Sequence, residues 1–187
     1  MVKKKIEEYL KNSLSDYRFK HTVGVAQTAV KLADWYGTDP AKAEIAGLVH
    51  DIARDFSDRF MLEMCCKYGI LADETENHIP ALLHGKVAAG FAADRFNISE
   101  TDILDPVRYH TTGRKNMTIP EKILFLADMI EPGRAYSGVE DLRRIAWVNL
   151  DQAVLTGLNS TVRYVLERGL MIHPDSILAR NSLIMEG

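Results

Sequence analysis

From Val2 onward, apolar residues recur at helical spacing, and most such stretches open on a capping residue and close on glycine or proline. No stretch alternates apolar and polar residues between turn signals, so no strand is expected. That regularity confines the chain to an all-α bundle. A first helix is expected from about Val2 to Leu14, and Ser15-Asp16 cap a second that stops near Gly37. Asp39-Pro40 pairs a carboxylate cap with proline at the first helical position, opening a helix expected to end in LVHDIARD. Ser57 caps DRFMLEMCCKYG, with Gly69 as terminator, and a polar stretch, ADETENH, precedes one helix over IPALLHGKVAAGFAADRF. Ser99-x-x-Asp102 and Thr118-x-x-Glu121 read as capping boxes; Pro106 should bend or restart the first of these helices, and Pro132 closes the second. Helices over about Val139 to Ala146 and Leu150 to Arg168, and a short one after His173-Pro174, complete the reading.

With 187 residues, 47% of them hydrophobic, the chain fits a single domain spanning 1–187 and can bury a core without disulfides or structural zinc. Cys65 and Cys66 are adjacent, which suits reduced side chains in or beside a helix core, and a reducing cytoplasm. The start, MVKKKIEEYLKN, runs into Glu7 and Glu8 without an apolar signal stretch, and no segment approaches the roughly 20 apolar residues of a membrane span. A formal net charge of −3 argues against a nucleic-acid binder, which usually carries a basic face. That charge does not exclude a small anionic substrate held by a few local arginines; no nucleic acid and no membrane is expected as a partner. Phe60, Met61 and Met64 are surplus apolar residues for a helical homodimer interface, although a core position is the simpler expectation for them.

Against this background stands one chemical concentration: His21, His50-Asp51, His84, His110 and Asp128, leaving only His78 and His173 outside the set. Apart from the adjacent pair, each lies on or at the end of a different expected helix, which is how a bundle builds a metal site from inward-facing side chains. His21 shares a stripe with Val25 and Leu32, His50 follows Ala46 by four, His110 follows Val107 by three, and Asp128 follows Leu124 by four. A single histidine on an apolar face is usually a hydrogen-bonded core residue, and His-Asp alone is a weak motif. Four imidazoles and two carboxylates at core-facing positions are another matter. They can hold two divalent ions and leave positions open for water and substrate. A carboxylate such as Asp128 on an apolar face also needs positive charge to offset its burial.

The pattern His21 … His50-Asp51 … Asp128 resembles the signature of HD-domain metal-dependent phosphohydrolases. HTVGVAQTA, AGLVHDIARD, LLHGKVAA, RYHTTGR, KILFLADMIEPGR and IHPDSILARNSLI are similar to the bacterial YqeK-type subgroup, the symmetrical diadenosine tetraphosphate hydrolases. Arg54 and Lys86 depart from that pattern, each keeping or adding positive charge. The resemblance implies an HD-domain helical bundle in which His21, His50, Asp51 and Asp128 hold one metal, His84 and His110 a second, and Asp51 bridges. It implies iron first; the donor chemistry also admits manganese, zinc, cobalt or magnesium. Two such ions, about 3.5–4 Å apart, can share a bridging hydroxide and present it to phosphorus.

Arg54, Arg114 and Arg134 follow the expected ligands and are the candidate phosphate contacts, since a guanidinium grips phosphate with two hydrogen bonds. Tyr136 is a candidate for stacking on a base, while Arg54 and Asp55 join Asp51 as catalytic candidates, Asp55 as a proton donor. His78 reads as a surface histidine in a polar loop, and Arg143-Arg144 as residues capping a helix end. The expected function is symmetrical hydrolysis of diadenosine tetraphosphate, a substrate that rests on the resemblance alone. Two readings compete with it: an HD-type hydrolase of another nucleotide, such as an alarmone or deoxynucleotide, and a nucleotide-binding sensor without turnover. Cyclic dinucleotides fit less well, because no Gly-Tyr-Pro element follows the ligands.

Overall fold

Capping side chains set most helix boundaries. In a computed structural model describing residues 2–186, Ser15, Asp39, Ser57 and Asn149 each accept a backbone N–H from the first turn of a helix. The helices are α1 (Val2–Ser13), α2 (Asp16–Trp35), α3 (Pro40–Val49), α4 (Asp58–Tyr68), α5 (Glu74–His78) and α6 (His84–Phe96). They continue as α7 (Thr101–Tyr109), α8 (Ile119–Ile130), α9 (Val139–Ile145), α10 (Leu150–Glu167) and α11 (Pro174–Glu186). There is no strand among the described residues, so the all-α expectation holds. None of these helices is long and apolar enough to cross a membrane.

The boundaries differ from expectation in four places. The helix that opens at Pro40 ends at Val49 instead of running through LVHDIARD, and residues 50–55 form tight turns with bonds such as Ile52 N–H to Val49 O at 3.2 Å. ADETENH contains α5, because Asp73 and Glu76 form a reciprocal capping box that the sequence reading passed over. The stretch 79–96 is not one helix: Pro80–Leu83 is a 3₁₀ turn, and α6 starts afresh at His84. Ser99 caps nothing, since α7 opens on Glu100, and Pro106 sits within α7 without ending it. The first and third of these departures fall at donors of the site described below, His50 and His84.

Helix α2 packs against α3 and α8, while α6 meets α7, α7 meets α8, and α10 lies across α8 and α11. The α2–α3 crossing is a backbone contact: a Cβ on Gly47 would stand 2.6 Å from Ala26 Cα. The core runs through Ile6, Leu10, Leu32, Leu124, Phe125 and Leu158, all essentially sealed from solvent. Each such side chain contributes about 1.5–3 kcal/mol by leaving water. Met61 lies in this core and Met64 packs against it, while Phe60 stacks edge-on with Phe56. Met61 and Met64 are core material, as the simpler expectation held, whereas Phe60 is 39% exposed. Cys65 is buried, Cys66 exposed, and both are free thiols.

Candidate metal centre

Three of the six candidate donors sit where a helix begins or ends. His50 follows α3, His84 opens α6 and His110 follows α7. In each case the ring Nδ1–H donates to the carbonyl three residues earlier, Gly47, Ala81 and Val107 respectively, at 2.7 Å. Helix ends leave carbonyls unpaired, and these imidazoles satisfy them. The bond also fixes the tautomer, so that each Nε2 keeps its lone pair and points inward. This is why the helix could not continue through LVHDIARD: the segment is bent to bring His50 and Asp51 onto the same centre.

His21 is held differently, from the middle of α2. Its Nδ1 faces Glu131 Oε1 at 3.2 Å, and Gly133 N–H donates to Glu131 Oε2 at 2.6 Å. The Glu131 carboxylate occupies space that two missing side chains leave open. A Cβ on Gly24 would lie 2.6 Å from Oε2, and one on Gly133 2.9 Å from Oε1. A third close approach joins α6 to the end of α7, where a Cβ on Gly85 would meet Val107 O at 2.9 Å. That proximity sets His84 Nε2 3.0 Å from His110 Nε2.

The two oxygens of Asp51 face different neighbours. Oδ1 lies 3.3 Å from His84 Nε2 and 3.7 Å from His110 Nε2. Oδ2 lies 3.8 Å from His21 Nε2 and 3.7 Å from His50 Nε2. Asp128 Oδ1 completes the second group, 3.1 Å from His21 Nε2 and 4.0 Å from His50 Nε2. The six residues form overlapping groups of three whose donor atoms fall within 4.8 Å of one another. The Nε2 atoms of His21 and His50 are buried without a hydrogen-bond partner among the described residues. Buried lone pairs without protons to accept, facing two carboxylates, are a donor set suited to a divalent ion bound by nitrogen and oxygen.

Two of the four imidazoles, His50 and His84, are also pushed toward the neutral form that ligation needs. Burial lowers the His50 pKa to about 4, so its imidazole is neutral near pH 7. Burial likewise lowers His84. At His21 and His110 burial works in the same direction, but Asp128 and Asp51 respectively outweigh it and the pKa rises. Burial would raise both carboxylates; instead His50, His84 and His110 hold Asp51, and His21 holds Asp128, well below the ordinary range.

The other expected site residues are distributed unevenly. Arg134 reaches the centre, with its guanidinium on the Asp128 carboxylate and Nε–H on the Asp128 carbonyl at 2.8 Å. Arg54 is exposed, and its charge bears on His84. Asp55 is exposed and accepts from Arg18 at 3.4 Å. Arg114 has a different partner: its Nε donates to the fully buried Glu121 at 2.7 Å and its guanidinium lies over Tyr109. Tyr136 is partly exposed, within electrostatic reach of Arg134 and Arg143. His78 is exposed and bonds Glu74 O at 2.8 Å, the surface role expected of it. Lys86 pairs with the buried Glu76 at 2.7 Å, so its charge is directed to that carboxylate.

Sequence reasoning missed three residues at the centre. Arg18 donates to Asp51 Oδ2 at 2.8 Å. Its spacing, one turn before His21 on the same helix, was a usable signal. Glu131 lies three residues after Asp128, again one helical turn. Arg143 clamps the turn after α8, donating to Ile130 O at 2.9 Å and to the Glu131 and Arg134 carbonyls at 2.8 Å. It does cap a helix end, but that of α8 and not its own. Arg144 only pairs with Asp141 on the surface.

Comparison with known proteins gives a consistent result. The HD domain model matches residues 18–133. Over its whole length the chain is 36% identical to the symmetrical bis(5'-nucleosyl)-tetraphosphatase of Halalkalibacterium halodurans, covering 99% of that protein. It is 37% identical to the Bacillus subtilis protein of the same name, covering 94% of each chain. The crystal structure of a predicted HD superfamily hydrolase involved in NAD metabolism from Clostridium acetobutylicum superposes with a TM-score of 0.96, at 40% identity, covering 98% of this chain and 97% of that one. The helices that carry the six donors and the full-length likeness lead to one assignment: this chain belongs to the HD-domain family.

Proposed function

We propose that this protein hydrolyses diadenosine tetraphosphate symmetrically, using two divalent metal ions, iron first among them. The observation that carries the two-metal reading is the division of Asp51, with Oδ1 toward His84 and His110 and Oδ2 toward His21 and His50. His21, His50, Asp51 and Asp128 would hold one ion; His84, His110 and the second oxygen of Asp51 would hold the other. When bound, such a pair supplies charge neutralisation at the phosphoryl oxygens and a water acidified toward neutral pH. The full-length likeness to proteins named symmetrical bis(5'-nucleosyl)-tetraphosphatase supports the substrate.

The chain's own contribution is positional and electrostatic. Helix-end carbonyls retain the Nδ1 protons of His50, His84 and His110, which keeps each Nε2 free for ligation. Arg134 fixes Asp128, and Arg18, tethered by Asp55, fixes Asp51. Arg54 adds a third cation near His84, and these charges complement four linked phosphates. Tyr136 stands beside Arg134 as a contact for the substrate's outer part. Arg114, tied to Glu121, serves the turn before α8 instead. In the reaction, water adds to one of the two central phosphorus atoms, the central anhydride P–O bond breaks, and two ADP leave.

The test is metal analysis of purified protein, then incubation with diadenosine tetraphosphate and chromatography of the products. ADP as the sole product supports the proposal. ATP plus AMP rejects symmetrical cleavage, and a metal-loaded protein that leaves the substrate intact rejects the substrate.

A further inference from the structure

Beside the His84 and His110 half of the centre lies a cavity of about 240 Å³, walled by α10, by the turns before α6 and α11, and by Thr111. Thr111 joins it to the metal centre, because its hydroxyl lies 3.2 Å from both His84 Nε2 and His110 Nε2. A group held at the centre and leaving past Thr111 therefore meets this cavity next. Leu82, Val162, Val165 and Ile172 make the walls apolar, while Thr111, Thr161 and Ser176 supply hydroxyls. No lysine or arginine lines it, and its one imidazole, His173, turns Nε2 toward Asp73 and Glu76, which makes it a poor phosphate seat. Tyr164, Leu170 and Met171 stand at least 46% exposed along its lining, an apolar cluster with no covering among the described residues.

A second cavity, of about 450 Å³, is lined by His21 together with Lys20 and Glu131. Glu131 binds the Nδ1 edge of His21, so that space lies behind the ring, away from the centre. Size separates the alternatives further. Ligand pockets for drug-sized molecules run from about 300 to 1,000 Å³, so the Thr111 cavity takes one nucleoside and not a whole dinucleotide. Apolar walls with a few hydroxyls are the surroundings that a flat base and a ribose require. The arrangement also gives work to RYHTTGR and IHPDS, whose Thr111, Thr112, His173 and Ser176 line the space without contributing a metal ligand.

We infer that this cavity is a nucleoside subsite, receiving one adenosine end of the substrate while the phosphates extend across the metal centre. The assignment rests on the hydrolase reading above and adds where the substrate's end is recognised. In Thr161→Trp an indole fills the cavity from α10; in Tyr164→Ala an exposed aromatic wall is removed with little demand on folding. For metal-loaded protein, both variants should raise KM for diadenosine tetraphosphate about tenfold, with kcat within about twofold, as expected for a contact made equally in ground and transition states. ADP binding by equilibrium dialysis should weaken by about the same factor, while competition by inorganic pyrophosphate stays unchanged. Wild-type KM and ADP affinity in both correctly folded variants overturn the subsite, even if the enzyme cleaves its substrate. If Thr161→Trp fails to fold, Tyr164→Ala decides alone. Wild-type protein that binds ADP, is weakened by either substitution and yet cleaves no tetraphosphate keeps the subsite and removes the hydrolase reading.

Discussion

Replacing Gly24 with alanine tests the Glu131 cradle, because two effects of opposite sign compete at that position. Gly24 lies inside α2, where alanine is favoured over glycine by about 1 kcal/mol. If the space were open, Gly24→Ala would stabilise the protein. The new Cβ would instead stand 2.6 Å from Glu131 Oε2 and 3.4 Å from Cδ, closer than side chains approach. A glutamate can often swing aside, but this one is held by Gly133 N–H at 2.6 Å and lies 3.2 Å from His21 Nδ1. Moving it breaks at least one hydrogen bond to a charged group, worth about 1.5–3 kcal/mol. The net expectation is a loss of about 0.5–2 kcal/mol, or about 1–8 °C in Tm for a domain of this size. Losing the carboxylate behind His21 should also weaken metal binding about 10–100-fold. Thermal unfolding with chelator present reads the first effect, and metal titration of the stripped protein reads the second. A higher Tm with undiminished metal affinity would refute the cradle.

Asp51→Ala should abolish turnover and release metal from both halves while circular dichroism keeps its helical form; retained turnover with bound metal would sink the shared-carboxylate reading. Gly47→Ala should cost about 1–3 kcal/mol in chemical denaturation, because its Cβ meets the Ala26 backbone, which cannot rotate away; a neutral result would mean that α2 and α3 separate freely. At Glu76, burial would raise the pKa, but His173 and Lys86 overcome it and bring it from 4.5 to about 2. A depressed carboxylate stabilises the fold above its unfolded pKa and loses that contribution as pH falls through the folded one. The stability gap between wild type and Glu76→Gln should therefore be full above pH 4.5 and shrink by about 3 kcal/mol toward pH 2 in denaturant titrations. A gap that does not change with pH would show that Glu76 is not ionised in the fold.

The sequence was legible at most positions where one local rule governed. Ser15, Asp39 and Ser57 cap helices as their types predict, and the stripe positions of His21 and Asp128 do face inward. The misreadings at His50 and His84 share a cause, which is that the site overrides local preference, whereas the Asp73–Glu76 capping box was a local signal left unread. His50 ends α3 because its ring bonds Gly47 O and its neighbour Asp51 must face four imidazoles, a requirement with no trace in helical periodicity. The break at His84 is similar, since Nδ1 takes Ala81 O across the 3₁₀ turn. Arg114 shows the reverse error. Position after a ligand suggested phosphate, but proximity in sequence says nothing of Glu121, which lies buried within reach and claims the guanidinium first.

The four histidines also show how one centre is built with unequal supports. His50, His84 and His110 lean on neutral carbonyls of their own chain segments, three residues away, so the support behind each ring is local. His21 leans on a carboxylate 110 residues away, itself clamped through Arg143 and the Gly133 turn. A carboxylate partner makes an imidazole a stronger donor than a carbonyl partner does. The half holding Asp128 and the carboxylate-backed ring of His21 thus combines more negative charge with longer-range support than the half holding His84 and His110. Stepwise removal of metal by a chelator should empty the His84–His110 half first. Two equal release steps in titration of wild-type protein, persisting in Glu131→Gln, would show that the support behind His21 does not tune metal binding on that side of the proposed centre.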